Sequence, residues 1–551
     1  MRKKNIKRVF VLILAALMTV SLISCTSGDK KGNENLDTKQ NETADTSPTV
    51  SKDVDDGSEV YEYTWVGYAY GAVLAEGEDA VIQRMIEKKY NIKLKPVFID
   101  RSNYEELMNL KFASNEIPDV FTANNAVMLG KWVNQGVIAE LKKKDIQTYA
   151  PNVYADIESM AALDPYVMKY TIVDNKNYGL QLTSLDATYR APVVWRTDWL
   201  NKLGISKIPE TVAEFETALY KIAKEDPDEN GKPDTYGCNA TGLDTIYGTS
   251  GYLQDFWGMR DGKVVWGGIQ PEMKEILSLF QKWYKDGVID PEFVTGENQG
   301  GYWATSQPFA NGRIGLSSLG SYYHWNPPYF EDQDWISTNG KLFRELQGEN
   351  AYYDFGKPAV GVDGKSGMAV WSPATGITVM GIQMEKEPKK IQRFLKTQDG
   401  YCENRDYYVN VRYGVEGTNF EFDKHGMIKS LDTADVPEEK KATALGGGFS
   451  FMNYNSMKWF KDLNKQQFEF ADKISSDARI ANACSASLPS QSKYFAELDK
   501  LQKSTYIGII TGDLPIDKFD KFVAEWLSKG GEQLTKEANE WRQSIDSLDA
   551  E

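Results

Sequence analysis

From Glu62 onward the apolar positions change period again and again. Tyr63-Thr64-Trp65-Val66 reads as a strand closed by Gly67, and Asn91-Ile92-Lys93-Leu94-Lys95 alternates as a half-buried strand does. Between them, residues 78–90 place Ala80, Val81, Met85, Ile86 and Tyr90 near a 3.6-residue period, which predicts a helix facing a core. A second helix is expected at about 102–113, followed by a short buried strand, Glu116 to Phe121, entered through Pro118. Strands and helices in turn imply an α/β fold, a mostly parallel sheet with helices on both faces. In such sheets ligands bind beyond the carboxyl ends of the strands. That rule singles out Tyr68 and Tyr70 after the first strand, and Asn124 and Asn125 after the third. Near the other end, Pro515 to Lys529 turns Ile516, Phe519, Phe522, Val523 and Trp526 to one face, and Gly530-Gly531 is expected to stop that helix. Gly446-Gly447-Gly448 reads as a tight turn. No GxGxxG follows the first strand, and no Walker-type Gly-Lys-Ser/Thr loop occurs.

The start of the chain has a different pattern. Arg2, Lys3, Lys4, Lys7 and Arg8 precede an uncharged run from Val9 to Val20, then Leu22-Ile23-Ser24-Cys25. The run is too short for a permanent membrane span and is flanked as a secretory signal is. Its last four residues resemble a bacterial lipobox, with Ile23 where a small residue is more usual; Cys25 would then carry the lipid, palmitate included. Residues 1–24 are therefore expected to be a signal peptide. Residues 25–58, without an aromatic, are expected to be a disordered tether with a reach of ~30 Å.

The 551 residues exceed what one hydrophobic core supports, so two lobes are expected. A net charge of −16, from 63 Lys+Arg against 79 Asp+Glu, excludes a nucleic-acid partner, which needs a basic face. Removing residues 1–24 makes the body more acidic still. With 2 His in the whole chain, a His-rich metal centre is excluded, and His324 is expected to be a hydrogen-bonded structural residue. Cys238, Cys402 and Cys484 can form at most one bridge, so no disulfide framework holds the body. Aromatics are plentiful, with 14 Trp, 30 Tyr and 23 Phe, and need a reason beyond packing.

One loop has metal-ligand spacing. Asp226-Pro227-Asp228-Glu229-Asn230-Gly231-Lys232-Pro233-Asp234 offers oxygens at loop positions 1, 3, 5 and 9, Gly at 6, and the Lys232 carbonyl at 7. That is the order of an EF-hand-type Ca2+ loop, in which alternate side chains point inward as the chain curls. The departure is at position 12, where Gly237 replaces the bidentate Glu. A structural Ca2+ held by Asp226, Asp228, Asn230, Lys232 and Asp234 is expected, against the plainer reading of a solvated Asp/Asn turn.

A set of segments then resembles family 1 extracellular solute-binding proteins. They are Ser114-Asn115-Glu116-Ile117-Pro118-Asp119, Gly136-Val137-Ile138-Ala139-Glu140-Leu141, and Val193-Val194-Trp195-Arg196-Thr197-Asp198-Trp199-Leu200 with Ile208-Pro209-Glu210-Thr211. Tyr284-Lys285-Asp286-Gly287-Val288-Ile289-Asp290, Asn311-Gly312-Arg313-Ile314-Gly315-Leu316, Tyr413-Gly414-Val415-Glu416-Gly417 and Ile509-Ile510-Thr511-Gly512 follow in the same order, so the resemblance spans about 60–545. Length and the Tyr-Gly-Val-Glu-Gly segment are similar to the large oligosaccharide-binding lipoproteins of Gram-positive bacteria. The resemblance implies a two-lobe, type II periplasmic-binding-protein-like fold with mostly parallel sheets and a hinge. Lobe one would be 59–189 plus 373–435, and lobe two 190–372 plus 436–551. It also implies a monomer without enzymatic activity, lipid-anchored to the outer face of the cell membrane, that delivers an oligosaccharide to the permease subunits of an ABC transporter. Family members carry the same shortened Ca2+ loop.

A sugar presents partly apolar faces and a rim of hydroxyls, so aromatic rings and polar side chains together suit it. Tyr322, Tyr323 and Trp325 stand where the family places a pocket aromatic. Trp257, Tyr189 and Arg190 complete the expected ligand set, with core packing as the alternative for the aromatics and an ion pair within one lobe for Arg190. Two other functions fit export and acidity: a surface carbohydrate sensor, and a secreted polysaccharide-degrading enzyme. The enzyme would need a facing carboxylate pair, and none can be singled out.

Overall fold

Tyr61, Tyr63 and Trp65 alternate with neighbours that face the other way, and Val66 begins the opposite apolar face. That two-residue period makes Tyr61–Ala69 an inner strand of a sheet buried on both sides. The computed structural model describes residues 54–69, 80–100, 103–294, 306–335, 337–431, 456–486 and 488–548. The expectations for the signal peptide, Cys25, most of the tether, Tyr70 and Gly446–Gly448 lie outside the described residues.

The first sheet runs, edge to edge, Ile92–Asp100, Tyr61–Ala69, Val120–Ala123, Ala374–Met380, Leu180–Thr183. Tyr61–Ala69 pairs in parallel with Ile92–Asp100 and with Val120–Ala123. Ala374–Met380 returns late in the chain, antiparallel to both neighbours. The third strand starts later than the sequence pattern suggests: Glu116–Asp119 form the approach, and Asp119 Oδ2 accepts the Thr64 N–H at 2.8 Å. One core holds Tyr63, Trp65, Leu94 and Phe394, and the other holds Phe121, Trp132, Ile377 and Val379. Helices Met457–Leu463 and Lys465–Ser475, expected in lobe two, put Phe460 and Phe468 into the first of these cores.

The second sheet has four short strands in the order Asp354–Gly356, Val193–Trp195, Ile314–Ser317, Tyr236–Cys238. It is mixed, with Ile314–Ser317 parallel to Tyr236–Cys238 and the other two pairs antiparallel. Val193 and Trp195 enter a large core with Phe215, Leu219 and Trp283, whereas Val194 faces a smaller one with Phe309 and Trp325. Helix Val212–Lys224 begins with a full capping box, Thr211 and Glu214 each bonding the other's backbone.

Gly530-Gly531 ends a helix as expected: Lys518–Trp526 extends through a last turn, Leu527–Gly531, and Glu532–Ser547 is a new helix beyond it. Gly530 leaves helical geometry at φ 123°, where a Cβ would meet the Tyr494 ring at 2.4 Å. One sequence expectation is corrected: the tether is not disordered to residue 58. Asp55 is 4 % exposed and its carboxylate is gripped by the Arg393 guanidinium, Nε–Oδ2 2.6 Å and Nη2–Oδ1 2.5 Å. A buried carboxylate needs a paired cation, and this pair ties Val54–Ser58 to helix Pro388–Glu403. No disulfide joins Cys238, Cys402 or Cys484. No described helix is long and apolar enough to cross a membrane.

Candidate functional site

Three irregular segments carry the chain between the two sheets. The first, about 184–192, leaves the sheet-one strand Leu180–Thr183; the second, about 371–373, leads back into Ala374–Met380; the third, about 476–478, follows helix Lys465–Ser475. They are laced together by backbone bonds: Ser184 N–H to Pro373 O (2.8 Å), Trp371 N–H to Ala187 O (2.9 Å) and Met368 N–H to Ala478 O (2.9 Å). Arg190 is 0 % exposed at the centre of this lacing. It donates to Asp477 O (3.0 Å), Asp477 Oδ1 (2.9 Å), Ile474 O (2.9 Å) and Ala191 O (3.1 Å). Burial draws the guanidinium below its usual range while Asp477 opposes the shift. Arg190, expected at a ligand, is therefore spent on the hinge, because its donor fork already has four acceptors.

The expected aromatics divide. Trp325 is buried against Phe309 and Tyr353, its indole N–H donating to Leu319 O, so it is a core residue. Tyr189, Tyr322 and Tyr323 come together, with Tyr322 edge-on to both others at 5.2 and 5.3 Å. Tyr322 is fully buried and donates to Asp186 Oδ1, and the half-buried Tyr189 donates to Asp472 Oδ1 (2.7 Å). Burial pushes the Asp186 carboxyl up despite that bond. These rings join the hinge to the first core. His324 Nδ1 accepts the Ser321 N–H at 2.9 Å, and burial lowers its pKa, which fits a neutral structural imidazole.

Asn124 and Asn125 stand where the strand rule put them, at the carboxyl edge of Val120–Ala123. Asn125 caps helix Ala126–Asn134, its Oδ1 accepting from Val127 N (3.1 Å) and Met128 N (2.9 Å). With Gln181, Ser372, Thr375 and Ser485, Asn124 lines a recess of about 60 Å³ between the lobes. Two further hollows continue it. One of about 210 Å³ shares Ser485 and is lined by Asp255, Trp257, Trp266 and Asn482. The other, of about 440 Å³, shares Ala126 and Tyr170 with the recess and is lined by Lys169, Glu540 and Trp541. Trp257 is largely buried, edge-on to Trp266 at 5.0 Å, and forms a wall of the groove. Tyr68 belongs to the first strand itself, which runs one residue beyond it.

Trp371 is 56 % exposed on the second crossing, between the recess residue Ser372 and an edge contact with Phe256 at 6.0 Å. Sequence reading passed over it because Val370-Trp371-Ser372-Pro373 has no period; a Trp beside Pro in a strand-breaking segment was the available signal. Gln181 was missed because it lies mid-strand, and Tyr170, Ser485 and Trp541 because only the folded chain brings them to the groove. Asp244 and Asp255 are solvent-accessible but hemmed in by protein. Crowding pushes the Asp244 carboxyl up to about 7, with Asp255 adding repulsion, and raises Asp255 as well. A separate cavity of about 380 Å³ lies between strand Asp354–Gly356 and helix Lys465–Ser475, lined by Tyr353, Phe470 and Lys473.

The loop 226–234 curls through left-handed backbone at Asp226 (φ 47°), Glu229 (φ 59°) and Gly231 (φ 76°). Asn230 Nδ2 donates to Asp228 Oδ2 (2.7 Å) and Asp234 Oδ1 (3.1 Å), so its amide lies among carboxylates. The Lys232 N–H donates to Asn230 Oδ1 at 2.7 Å. Asp226 and Asp228 also touch: their mutual hydrogen bond lowers Asp226, while burial first and then Asp226 raise Asp228. Two carboxylates pressed together in an all-oxygen loop fit a hard cation. Among the described residues, though, no three His, Cys, Asp or Glu side chains converge closely enough to ligate one.

No protein-family model matches the chain. Lipoprotein LipO of Bacillus subtilis (strain 168) is 25 % identical over 476 residues, covering 84 % of this chain and 88 % of LipO. The polygalacturonan/rhamnogalacturonan-binding protein YtcQ of the same organism is 24 % identical over 481 residues, covering 83 % and 86 %. Among solved structures, an extracellular solute-binding protein from Bifidobacterium longum subsp. infantis superposes with a TM-score of 0.60 at 16 % identity, over 88 % of this chain and 98 % of that one. An EF-hand mutant of the S. pneumoniae ABC-transporter substrate-binding protein FusA, in complex with fructo-nystose, gives 0.54 at 16 % identity, over 88 % and 99 %. At that identity the two structures establish the two-lobed fold.

Proposed function

We propose that this chain, a family 1 extracellular solute-binding protein by sequence kinship and fold, captures an oligosaccharide between its lobes and hands it to the permease of an ABC transporter. The observation that carries the reading is the groove itself. Three crossings form a hinge, and at their edge an exposed indole, Trp371, stands beside a recess lined with amides and hydroxyls. A flat apolar face and a polar rim are the two surfaces a sugar needs, and hinge closure would bury both.

The remaining features fit that role. The Leu22-Ile23-Ser24-Cys25 segment and the kinship with a lipoprotein support anchoring through Cys25 to the outer face of the cell membrane, with residues 26–53 as the leash. No reaction is assigned to the groove; the proteins that share its fold are named for binding. Asp226, Asp228, Asn230, Asp234 and the Lys232 carbonyl would hold a Ca2+ that stiffens the turn between helix Val212–Lys224 and strand Tyr236–Cys238. The curl that brings Asp226, Asp228 and Asp234 onto Asn230 supports this, as does the EF-hand named in a protein of the same fold.

A thermal-shift screen of the purified full-length protein against oligosaccharides, with calcium and with chelator, tests both parts. A ligand at 100 times its Kd adds about 2.7 kcal/mol, an easily read rise in Tm. The expected result is a rise with an oligosaccharide recovered intact, and a lower Tm in chelator that calcium restores. Cleavage of the sugar would replace the binding role with a hydrolytic one. An unchanged Tm in chelator would remove the Ca2+ site.

A further inference from the structure

The recess at the carboxyl edge of the first sheet holds two acceptors with nothing to accept. Gln181 is 4 % exposed, and its Nε2 donates to Leu182 O (2.9 Å) and Gly376 O (2.8 Å). Both partners are carbonyls, so the amide cannot be turned over without setting oxygen against oxygen. Its Oε1 is thereby fixed as an acceptor, and no donor among the described residues reaches it. Across the same recess, Asn124 Oδ1 is also buried without a donor among the described residues. An orphaned buried acceptor is costly, and two lining one small hollow mark a place built for a donor.

The other walls say which donor. Ser372, Thr375 and Ser485 contribute hydroxyls, and Tyr170 donates its own proton to Asp164 Oδ2 at 2.9 Å. Among the described residues no Lys or Arg lines the recess or the hollow where Asp255 stands; Lys169, in the third hollow, donates to Ile545 O at 3.0 Å. A carboxylate placed here would meet two carbonyl-type oxygens and no cation, leaving a desolvated charge unpaired. Two neighbouring hydroxyls satisfy the two oxygens, each donating its one proton to one of them, and their lone pairs can still accept from the serine and threonine hydroxyls.

We propose that Asn124 and Gln181 form a donor-reading pair that seats two neighbouring sugar hydroxyls, so that the oligosaccharide captured by this groove is a neutral glycan and uronic-acid glycans are rejected. The inference rests on the oligosaccharide-binding reading above and narrows it. A site built around a hydroxyl discriminates strongly against a group that cannot donate, so a preference of at least about a hundredfold is expected.

Titration calorimetry on the purified full-length protein at neutral pH, with neutral hexose and pentose oligosaccharides and with oligogalacturonates, tests it. Expected are binding of at least one neutral sugar and oligogalacturonate affinity at least about a hundredfold weaker. Asn124→Leu should weaken the neutral sugar about tenfold or more, and Asn124→Asp, which keeps an acceptor, should restore most of it. Oligogalacturonates binding as tightly as any neutral sugar would overturn the inference and leave the oligosaccharide reading standing. Undiminished binding by Asn124→Leu would also overturn it, the recess then holding only water. Binding of no carbohydrate in either set would overturn the oligosaccharide reading itself, and this inference with it.

Discussion

Replacing Asp55 by Asn tests whether the end of the tether is structural. The wild-type carboxylate is 1 % exposed and its partner guanidinium 3 %, so the pair is fully desolvated. The substitution removes two charge-assisted bonds, at 2.6 and 2.5 Å, and the approach of Lys396 Nζ at 3.3 Å. Breaking one partner of a buried pair costs about 3–5 kcal/mol. Arg393 keeps three backbone acceptors, Glu59 O, Tyr90 O and Asn91 O, which places the loss near the lower end, about 3 kcal/mol. In a lobe of some 200 residues that corresponds to a fall in Tm of about 6 °C or more. Urea unfolding followed by tryptophan fluorescence at pH 7 reads the change. Burial opposes ionisation of Asp55, but the Arg393 bonds overcome it and hold the carboxyl below its usual range. Its contribution is therefore complete above pH ~4 and is lost as pH falls through the depressed folded value, so wild type and variant should converge in acid. A single variant within ~0.5 kcal/mol of wild type would refute the reasoning, that bound being a typical surface substitution.

Arg190→Met should lower stability by about 2–3 kcal/mol in the same urea assay, since four hinge bonds go and half-exposed Asp477 rehydrates; an effect under ~0.5 kcal/mol would deny Arg190 the hinge role. Trp371→Ala should weaken the captured oligosaccharide about tenfold by calorimetry with Tm unchanged in the absence of sugar, and equal affinity would remove the indole from the site. Asp244 acts on stability with the sign opposite to Asp55. Its raised pKa makes ionisation unfavourable in the folded state, so stability should decline from pH ~4 to about 7 and then level off. Asn at position 244 should flatten that slope, and a slope unchanged in the variant would place its origin elsewhere.

Legibility in the sequence followed local period. Tyr61, Tyr63 and Trp65 write their strand in a two-residue alternation, and Thr211 with Glu214 write a helix start, because each of these depends on neighbours a few positions away. The strand-end rule then placed Asn124 at the groove without any long-range contact being known. Gly530-Gly531 likewise writes a helix stop, Gly530 taking φ 123° between two helices. Where the local signal pointed one way and tertiary packing the other, packing won. Asp55 sits in a segment too polar to fold by itself, and is ordered by an arginine 338 positions away.

The site was less legible for a physical reason that Arg190 and Gln181 illustrate from opposite sides. Arg190 carries the chemistry expected of a ligand contact, and its acceptors, 284 and 287 residues downstream, exhaust that chemistry within the protein. Gln181 has the place of a strand residue, and its oxygen is left over only because two backbone carbonyls hold the amide nitrogen. Residue type fixes how many hydrogen bonds a side chain can make; the fold decides how many remain for a ligand. The groups available to a sugar are those remainders: the Asn124 and Gln181 oxygens and the uncovered face of Trp371. Each lies on or beside an irregular crossing or sheet edge, where the chain stops satisfying itself. In a two-lobed protein those edges meet at the hinge, so closing the lobes and completing the hydrogen bonds of the groove become the same event.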